Sequence, residues 1–290
     1  MFDVIIIGRG PAGCQAAIYT LRANLKTLVI GKDSLLAKAN LVENYYGITK
    51  ISGKELLDEG ERQVKKFGGL IISDEVLDIK VEDGVKKVLT SNDEYQAKTV
   101  LIATGNKKIP LAIENLKRFE GSGISYCTVC DGFFFKGLKV GVLGYNDYAV
   151  HEAMELATFT SDITVYTNGR EFNVSDKYKD MARGFKVNNK AIKKFDGVNE
   201  LNEICFDDGT RDTVDGVFVA YGNADYNALA KKLGLIENNN FIVTNERQET
   251  NVSGIFAAGD CTGVFKQIAV AVGQGAIAGD SIVKYVKRIC

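Results

Sequence analysis

The chain has one histidine, no tryptophan and two prolines among 290 residues. A lone histidine argues against a histidine-built metal site and against a histidine-centred catalytic triad. So few prolines leave no rigid proline-rich linker. Neither sign of charge dominates. The 36 basic and 37 acidic residues leave a net charge of -1, so the balance gives no signal for nucleic acid or an anionic membrane surface. No apolar run reaches the ~18 residues of a membrane span. The six cysteines stand at 14, 127, 130, 205, 261 and 290 with one close pair, which excludes a disulfide framework and a zinc ribbon. The first residues read directly as a strand rather than as a signal peptide. The expected location is therefore cytoplasmic, where a C-x-x-C is more often redox-active or metal-binding than structural.

The residues present fit a globular α/β protein. Apolar content is 46% and charged content 25%, both ordinary values. Val4–Ile7 is a continuous β-branched run and reads as a buried strand, Cys14–Ala23 as a helix, and Thr27–Ile30 as a second strand. Gly53–Phe67 reads as an amphipathic helix, and 69–90 as strands broken at Asp83-Gly84, a hairpin signal. Thr99–Ala103 is a further buried strand. From about residue 115 the pattern restarts: strand Lys139–Leu143, helix Val150–Thr158, strand Ile163–Tyr166. Near residue 247 the chain returns to strand and helix, with Ile255–Ala258 and Gln267–Val286. The expectation is two Rossmann-like, doubly wound, three-layer nucleotide-binding domains. The first is discontinuous, 1–114 plus 247–290, and the second, 115–246, is inserted in it.

Gly8-Arg9-Gly10-Pro11-Ala12-Gly13 fits G-x-G-x-x-G after a strand and before a helix. The first glycine allows the turn, the second lets backbone approach a pyrophosphate, and the third lets helix pack on strand. The acid expected at the end of the second strand is missing, since the chain reads Ile30-Gly31-Lys32-Asp33. Either Asp33 takes that role from a displaced position, or backbone and Lys32 replace it.

Cys127-Thr128-Val129-Cys130-Asp131 carries the chemistry. The two cysteines read as a redox pair, half of a metal site, or two buried thiols. No further ligands accompany them, and an acid follows at once, which favours redox. Thiolate is the reactive form, and Asp131 stands where it can move the proton that exchange requires. Asp131 also reads as a helix cap. Cys14 and Cys205 read as core residues, and Cys261 has no partner in sequence. Cys290 reads as a terminal thiol and His151 as a surface or packing residue.

In order, the Gly-rich turn, Val42-Glu43-Asn44, Ala103-Thr104-Gly105, C-x-x-C-Asp-Gly, the second βαβ and Gly259-Asp260 resemble the low-molecular-weight thioredoxin reductases. The resemblance spans essentially the whole chain and implies the pyridine nucleotide-disulfide oxidoreductase architecture. It also implies FAD at Gly8, Gly10, Pro11, Ala12, Gly13, Gly31, Lys32, Asn44, Val76, Ala103, Thr104, Gly105, Gly259 and Asp260. Flavin contacts are implied from Lys266, Gln267 and Ile268. It further implies that Cys130 faces the flavin, that Cys127 attacks the thioredoxin disulfide, that Asp131 is the acid, and that the enzyme is a homodimer. The pair cannot face a buried flavin and a protein disulfide at once, so some domain rotation is expected.

The chain departs from that family at its second nucleotide turn, Gly144-Tyr145-Asn146-Asp147-Tyr148-Ala149, where Asn146 stands for the middle glycine. After the next strand, Tyr166-Thr167-Asn168 stands where ordinary members carry a His-Arg-Arg run that clamps a 2′-phosphate. Arg170 lies nearby but does not replace two clamps. In both respects the chain resembles the ferredoxin-dependent flavin thioredoxin reductases, which implies reduced ferredoxin as donor. Alternatives are an NADPH-dependent enzyme with an altered site and a flavin-linked redox sensor. Lys107-Lys108, Lys117-Arg118 and Lys231-Lys232 are candidate positive surfaces for an acidic donor.

Overall fold

The run of β-branched residues at the N-terminus forms β1 (Phe2–Ile7), with its last four residues buried. The computed structural model describes the chain except for Asp33, residues 106–110, 223–225, Val264, Cys290 and the side chains of Tyr226 and Asn227. After β1 comes α1 (Pro11–Arg22), three residues earlier than the sequence implies. Pro11 sits in its first turn, where a missing N–H leaves nothing unpaired. Then follow β2 (Thr27–Ile30) and α2 (Gly53–Lys66), whose start is fixed by a capping box between Ser52 and Glu55. The strands β3 (Leu70–Ile72), β4 (Val76–Glu82), β5 (Val85–Thr90) and β6 (Glu94–Ile102) complete this stretch. Asp83 and Gly84 both take positive φ, 49° and 80°, as the tight β4–β5 turn requires.

The next stretch holds β7 (Ile124–Ser125), α3 (Thr128–Asp131), β8 (Val140–Leu143), α4 (Asp147–Leu156), β9 (Ile163–Tyr166), α5 (Asp176–Ala182) and β10 (Lys186–Asn188). It continues with β11 (Ile192–Asp196), β12 (Glu203–Phe206), β13 (Arg211–Thr213) and β14 (Gly216–Val219). The chain ends with α6 (Tyr226–Lys232), β15 (Glu237–Asn238), β16 (Phe241–Ile242), β17 (Ile255–Ala257) and α7 (Ile268–Ile289).

Two compact units result, Met1–Lys107 with Asp225–Cys290, and Lys108–Ala224. In the first, the sheet runs β3-β2-β1-β6-β5-β4, and β17 also pairs with β6. The β3-β2-β1-β6 ladder and the β17 pairing are parallel. The other half of β6 pairs antiparallel with β5. Helices α1 and α7 cover this sheet and approach closely. A methyl at Gly275 would lie 2.3 Å from the Ala12 carbonyl oxygen, so only glycine fits there. In the second unit a parallel sheet, β10-β9-β8-β14-β7, accompanies an antiparallel one, β11-β12-β13. The second boundary differs from the expected one after residue 246. Residues 225–246 join the first unit because α6 packs on β4 and on β16, burying Leu229, Ala230, Leu235 and Ile242. Among the described residues no helix is long and apolar enough to cross a membrane.

Candidate functional site

In the first unit, β1 has β2 on one side and β6 on the other, so the strand order reverses at β1. A crevice beyond the carboxyl ends of the strands at such a point is where ligands bind in open α/β sheets. Gly8–Gly13 lies at the end of β1, Gly31 and Lys32 follow β2, Ala103–Gly105 follow β6, and Gly259 and Asp260 follow β17.

The glycines of the first turn divide by role. Gly8 has φ 116°, and a methyl on it would lie 2.2 Å from the Ala103 carbonyl oxygen. A methyl on Gly13 would lie 1.9 Å from the Gly8 oxygen. Both are held by packing inside the protein. At Gly10, the N-cap of α1, a methyl would meet nothing closer than the Ser34 hydroxyl at 3.6 Å. Gly10 is thus not required by the protein's own packing, and space remains for a phosphate at the helix N-terminus.

Three further observations fit a dinucleotide here. The Thr104 hydroxyl is buried with no hydrogen-bond partner, and a buried orphan of this kind calls for one. A side chain at Gly105 would meet nothing within 4 Å. Burial pushes the Asp260 carboxyl up, with Lys266 working against it. The Gly259 N–H donates to Gln274 Oε1 at 2.7 Å, fixing the turn that carries Asp260. Asn44 and Gln267 meet across 223 residues, with Asn44 Nδ2 donating to Gln267 Oε1 at 2.9 Å. Ile268 begins α7, and the Lys266 ammonium sits 5.2 Å over the Phe241 ring. Lys32 is engaged by Glu75 at 3.3 Å. Val76 is buried at the start of β4. Asp33 lies outside the described residues.

In the second unit Cys127 and Cys130 form a disulfide, so the pair is not half of a metal site here. Cys127 caps α3, its Sγ accepting from the Cys130 N–H at 3.2 Å. Cys127 is 3% exposed, while Cys130 is exposed. Ser125, on edge strand β7, accepts from the Cys127 N–H at 3.1 Å and donates to Asp131 Oδ2 at 2.6 Å. Thr128, inside the motif, donates to the buried Glu152 carboxylate at 2.7 Å. The arrangement can hold a reactive sulfur at a short helix start with an acid oriented beside it.

Most side chains at the second turn are engaged by the protein itself. Gly144 and Ala149 still pack the turn, and a methyl on Gly144 would lie 2.3 Å from the Ala220 oxygen. Asn146 donates its amide N–H to the Gly222 carbonyl at 2.7 Å, while its Oδ1 is buried without a hydrogen-bond partner. The rings of Tyr145 and Tyr221 meet edge to face at 5.1 Å. Arg170 lies over both, 5.0 Å and 5.5 Å from their centroids, and its Nε donates to the Tyr221 hydroxyl at 2.8 Å. The positions of the phosphate clamp are also used internally. Tyr166 is fully buried and donates to Asp212 at 2.6 Å, and Asn168 Oδ1 accepts from the Ile192 N–H at 2.8 Å. Burial and the Asp212 carboxylate push the Tyr166 phenol far above its usual range. Sequence reasoning missed Tyr221. Its one signal is position, directly after β14 at the same sheet end as the turn.

The remaining described cysteines and the histidine are packed into the core. Cys14 and Cys261 are buried thiols pushed up to about 12 by burial. Cys205 is buried on β12 and His151 on α4. Of the proposed positive surfaces, Lys232 is buried against Asp78 at 3.9 Å and offers no surface charge. Arg118 is spent on the Val198 carbonyl at 2.8 Å. Lys107-Lys108 and Cys290 lie outside the described residues.

A family model described as pyridine nucleotide-disulphide oxidoreductase matches residues 2–275. The thioredoxin reductase of Bacillus subtilis (strain 168) is 36% identical over 305 residues, covering 100% of this chain and 96% of that protein. The crystal structure of the atypical thioredoxin reductase TRi from Desulfovibrio vulgaris Hildenborough matches with a TM-score of 0.97 at 37% identity, covering 100% of this chain and 99% of that one. The ferredoxin-flavin thioredoxin reductase from Clostridium acetobutylicum matches with a TM-score of 0.72 at 28% identity, covering 99% and 98%.

Proposed function

The chain belongs to the pyridine nucleotide-disulphide oxidoreductase family, with thioredoxin reductases among its relatives, and on that premise we propose that it reduces thioredoxin through Cys127 and Cys130 with reduced ferredoxin as donor. The observation that carries the donor half is the second turn, where Tyr145, Arg170 and Tyr221 hold one another and Asn146 donates to the distant Gly222 carbonyl. A pyridine dinucleotide needs bare backbone and cationic clamps there. The similarity to a ferredoxin-flavin enzyme supports the same reading.

The cofactor is FAD, held by Gly8–Gly13, Thr104, Gly105 and Asp260, with Asn44 and Lys266–Ile268 beside its flavin. Bound there, a flavin accepts electrons singly and delivers them as a pair. The chain's own residues do the rest. In the dithiol form, the Cys127 sulfur, buried in the disulfide form, is uncovered and its thiolate attacks one sulfur of the thioredoxin disulfide, giving a mixed disulfide and a thioredoxin thiolate. Asp131, oriented by Ser125, moves the proton that this thiolate takes up. The Cys130 thiolate then attacks the Cys127 sulfur, restoring the Cys127–Cys130 disulfide and expelling the second thioredoxin sulfur as a thiolate, which takes up the proton that Cys130 gave up. The working form is a cytoplasmic homodimer.

The competing reading, an NADPH-linked enzyme, draws on Gly144 and Ala149, which still pack the second turn. The chemistry is tested by Cys127→Ser. That variant should still take electrons into its flavin but fail to reduce thioredoxin, and retained thioredoxin turnover would remove the pair from the reaction.

A further inference from the structure

We propose that the surface around the Asn44–Gln267 hydrogen bond is where an acidic one-electron carrier docks. The proposal rests on the reading that a flavin lies beside those two side chains. The loop carrying Asn44 is a closed platform. Val42 and Ile51 exchange backbone hydrogen bonds of 2.7 and 3.1 Å, and Gly53 donates to Ala39 at 2.8 Å, so its neck is pinned twice.

Two aromatic side chains stand out from this seam. Tyr46, two residues after Asn44, is 99% exposed, and Phe265, two residues before Gln267, is 75% exposed. Two residues of chain span at most about 7 Å, so the backbone that carries each ring lies within that distance of the backbone of one member of the bonded pair. Large exposed aromatics grouped at one place mark an interaction site, and aromatic residues are enriched at interfaces.

The charge around them has one sign in excess. Lys38 and Lys50 flank the neck of the loop and Lys266 adjoins Gln267, all three exposed. Among the described residues none of the three has an ion-pair partner within 4.0 Å, whereas neighbouring Lys54 is paired with Asp58 at 3.1 Å. The loop between Ala39 and Gly53 carries one acid, Glu43. A positive rim around exposed aromatics, beside the residues that would hold the flavin, suits a carrier with an acidic surface. Electron-transfer encounters bury little area, under about 1,200 Å², so a patch of this extent suffices.

The test is stopped-flow reduction of the flavin in the FAD-loaded enzyme and in its Lys38→Glu, Lys50→Glu and Tyr46→Ser variants. The probes are a small acidic [4Fe–4S] ferredoxin reduced with dithionite and, as a cationic control, reduced methyl viologen. Each charge reversal should slow reduction by ferredoxin about tenfold at low salt, with the difference shrinking as salt rises. Tyr46→Ser should slow it at every salt concentration. Reduction by the viologen should not slow. Ferredoxin rates equal to wild type in all three variants would overturn the docking site while leaving the donor reading intact. Conversion of the variants to monomers in sedimentation would also overturn it, by assigning the face to a second copy of this chain. A wild-type enzyme that ferredoxin does not reduce would instead overturn the donor reading.

Discussion

Ser125 ties Asp131 to the sheet: its hydroxyl donates to Asp131 Oδ2 at 2.6 Å while accepting from the Cys127 N–H at 3.1 Å. Ser125 is itself anchored by β7, which pairs with β14 through Ser125 and Phe218. The acid is therefore oriented by a buried hydroxyl on a strand, a more rigid support than a loop.

Removing the acid and removing its orienting group should differ in degree. Asp131→Asn should lower thioredoxin turnover by about 10²- to 10⁴-fold, the usual range for a proton-transfer group. Ser125→Ala removes the hydrogen bond to the Asp131 carboxylate, worth about 1.5–3 kcal/mol, together with the acceptor of the Cys127 N–H, and should cost roughly tenfold or more. Ser125→Thr keeps the hydroxyl and should recover most of the loss. Turnover against pH checks this, because a merely structural serine would lower the rate without moving the pH profile.

The glycines of the first turn should separate stability from binding. Gly13→Ala places a methyl 1.9 Å from the Gly8 oxygen. Overpacking of that kind costs about 1–3 kcal/mol or more, so its melting temperature should fall by several degrees. Gly10→Ala meets only Ser34 at 3.6 Å, so the apoprotein should melt as wild type does. Its flavin content after purification should nonetheless drop. Melting curves and flavin-to-protein absorbance ratios measure both.

Asp260 should be costly to the fold and necessary to the cofactor. Burial raises its carboxyl above the ordinary value, despite Lys266. The folded apoprotein therefore holds this proton more tightly than the unfolded chain does. This group's contribution is most favourable below the carboxylate range near pH ~4 and is lost as pH rises through the raised value. Asp260→Asn should melt at a higher temperature than wild-type apoprotein at pH 7, with the advantage vanishing near pH 3. The same variant should bind less flavin.

Much of this was legible in the chain, for physical reasons that can be named. Gly8 and Gly13 could be read because each glycine answers a close approach that any side chain would block. The pairing of Cys127 with Cys130 could be read because the two stand three residues apart and are the one close pair among six cysteines. The start of β6 could not. Residues 94–98 are largely polar because that half of the strand pairs antiparallel with β5, and only the later half runs through the core. The boundary after residue 246 failed because packing, not local pattern, attaches α6 to β4. Lys231-Lys232 looked like a solvated pair, yet Lys232 turns inward to Asp78. The filling of the second turn by Tyr221 was hidden by distance along the chain. The Asn146 contact with Gly222 spans 76 residues and exists only once β14 is in place.

The proposed donor is a protein and not a pyridine nucleotide. This is tested most directly by anaerobic bleaching of the bound flavin with NADPH, NADH and reduced ferredoxin in parallel. Rapid bleaching by ferredoxin alone, followed by reduction of thioredoxin, is the expected result. Rapid bleaching by NADPH or NADH would contradict it and would mean that the second turn admits a dinucleotide despite Asn146, Tyr145 and Arg170.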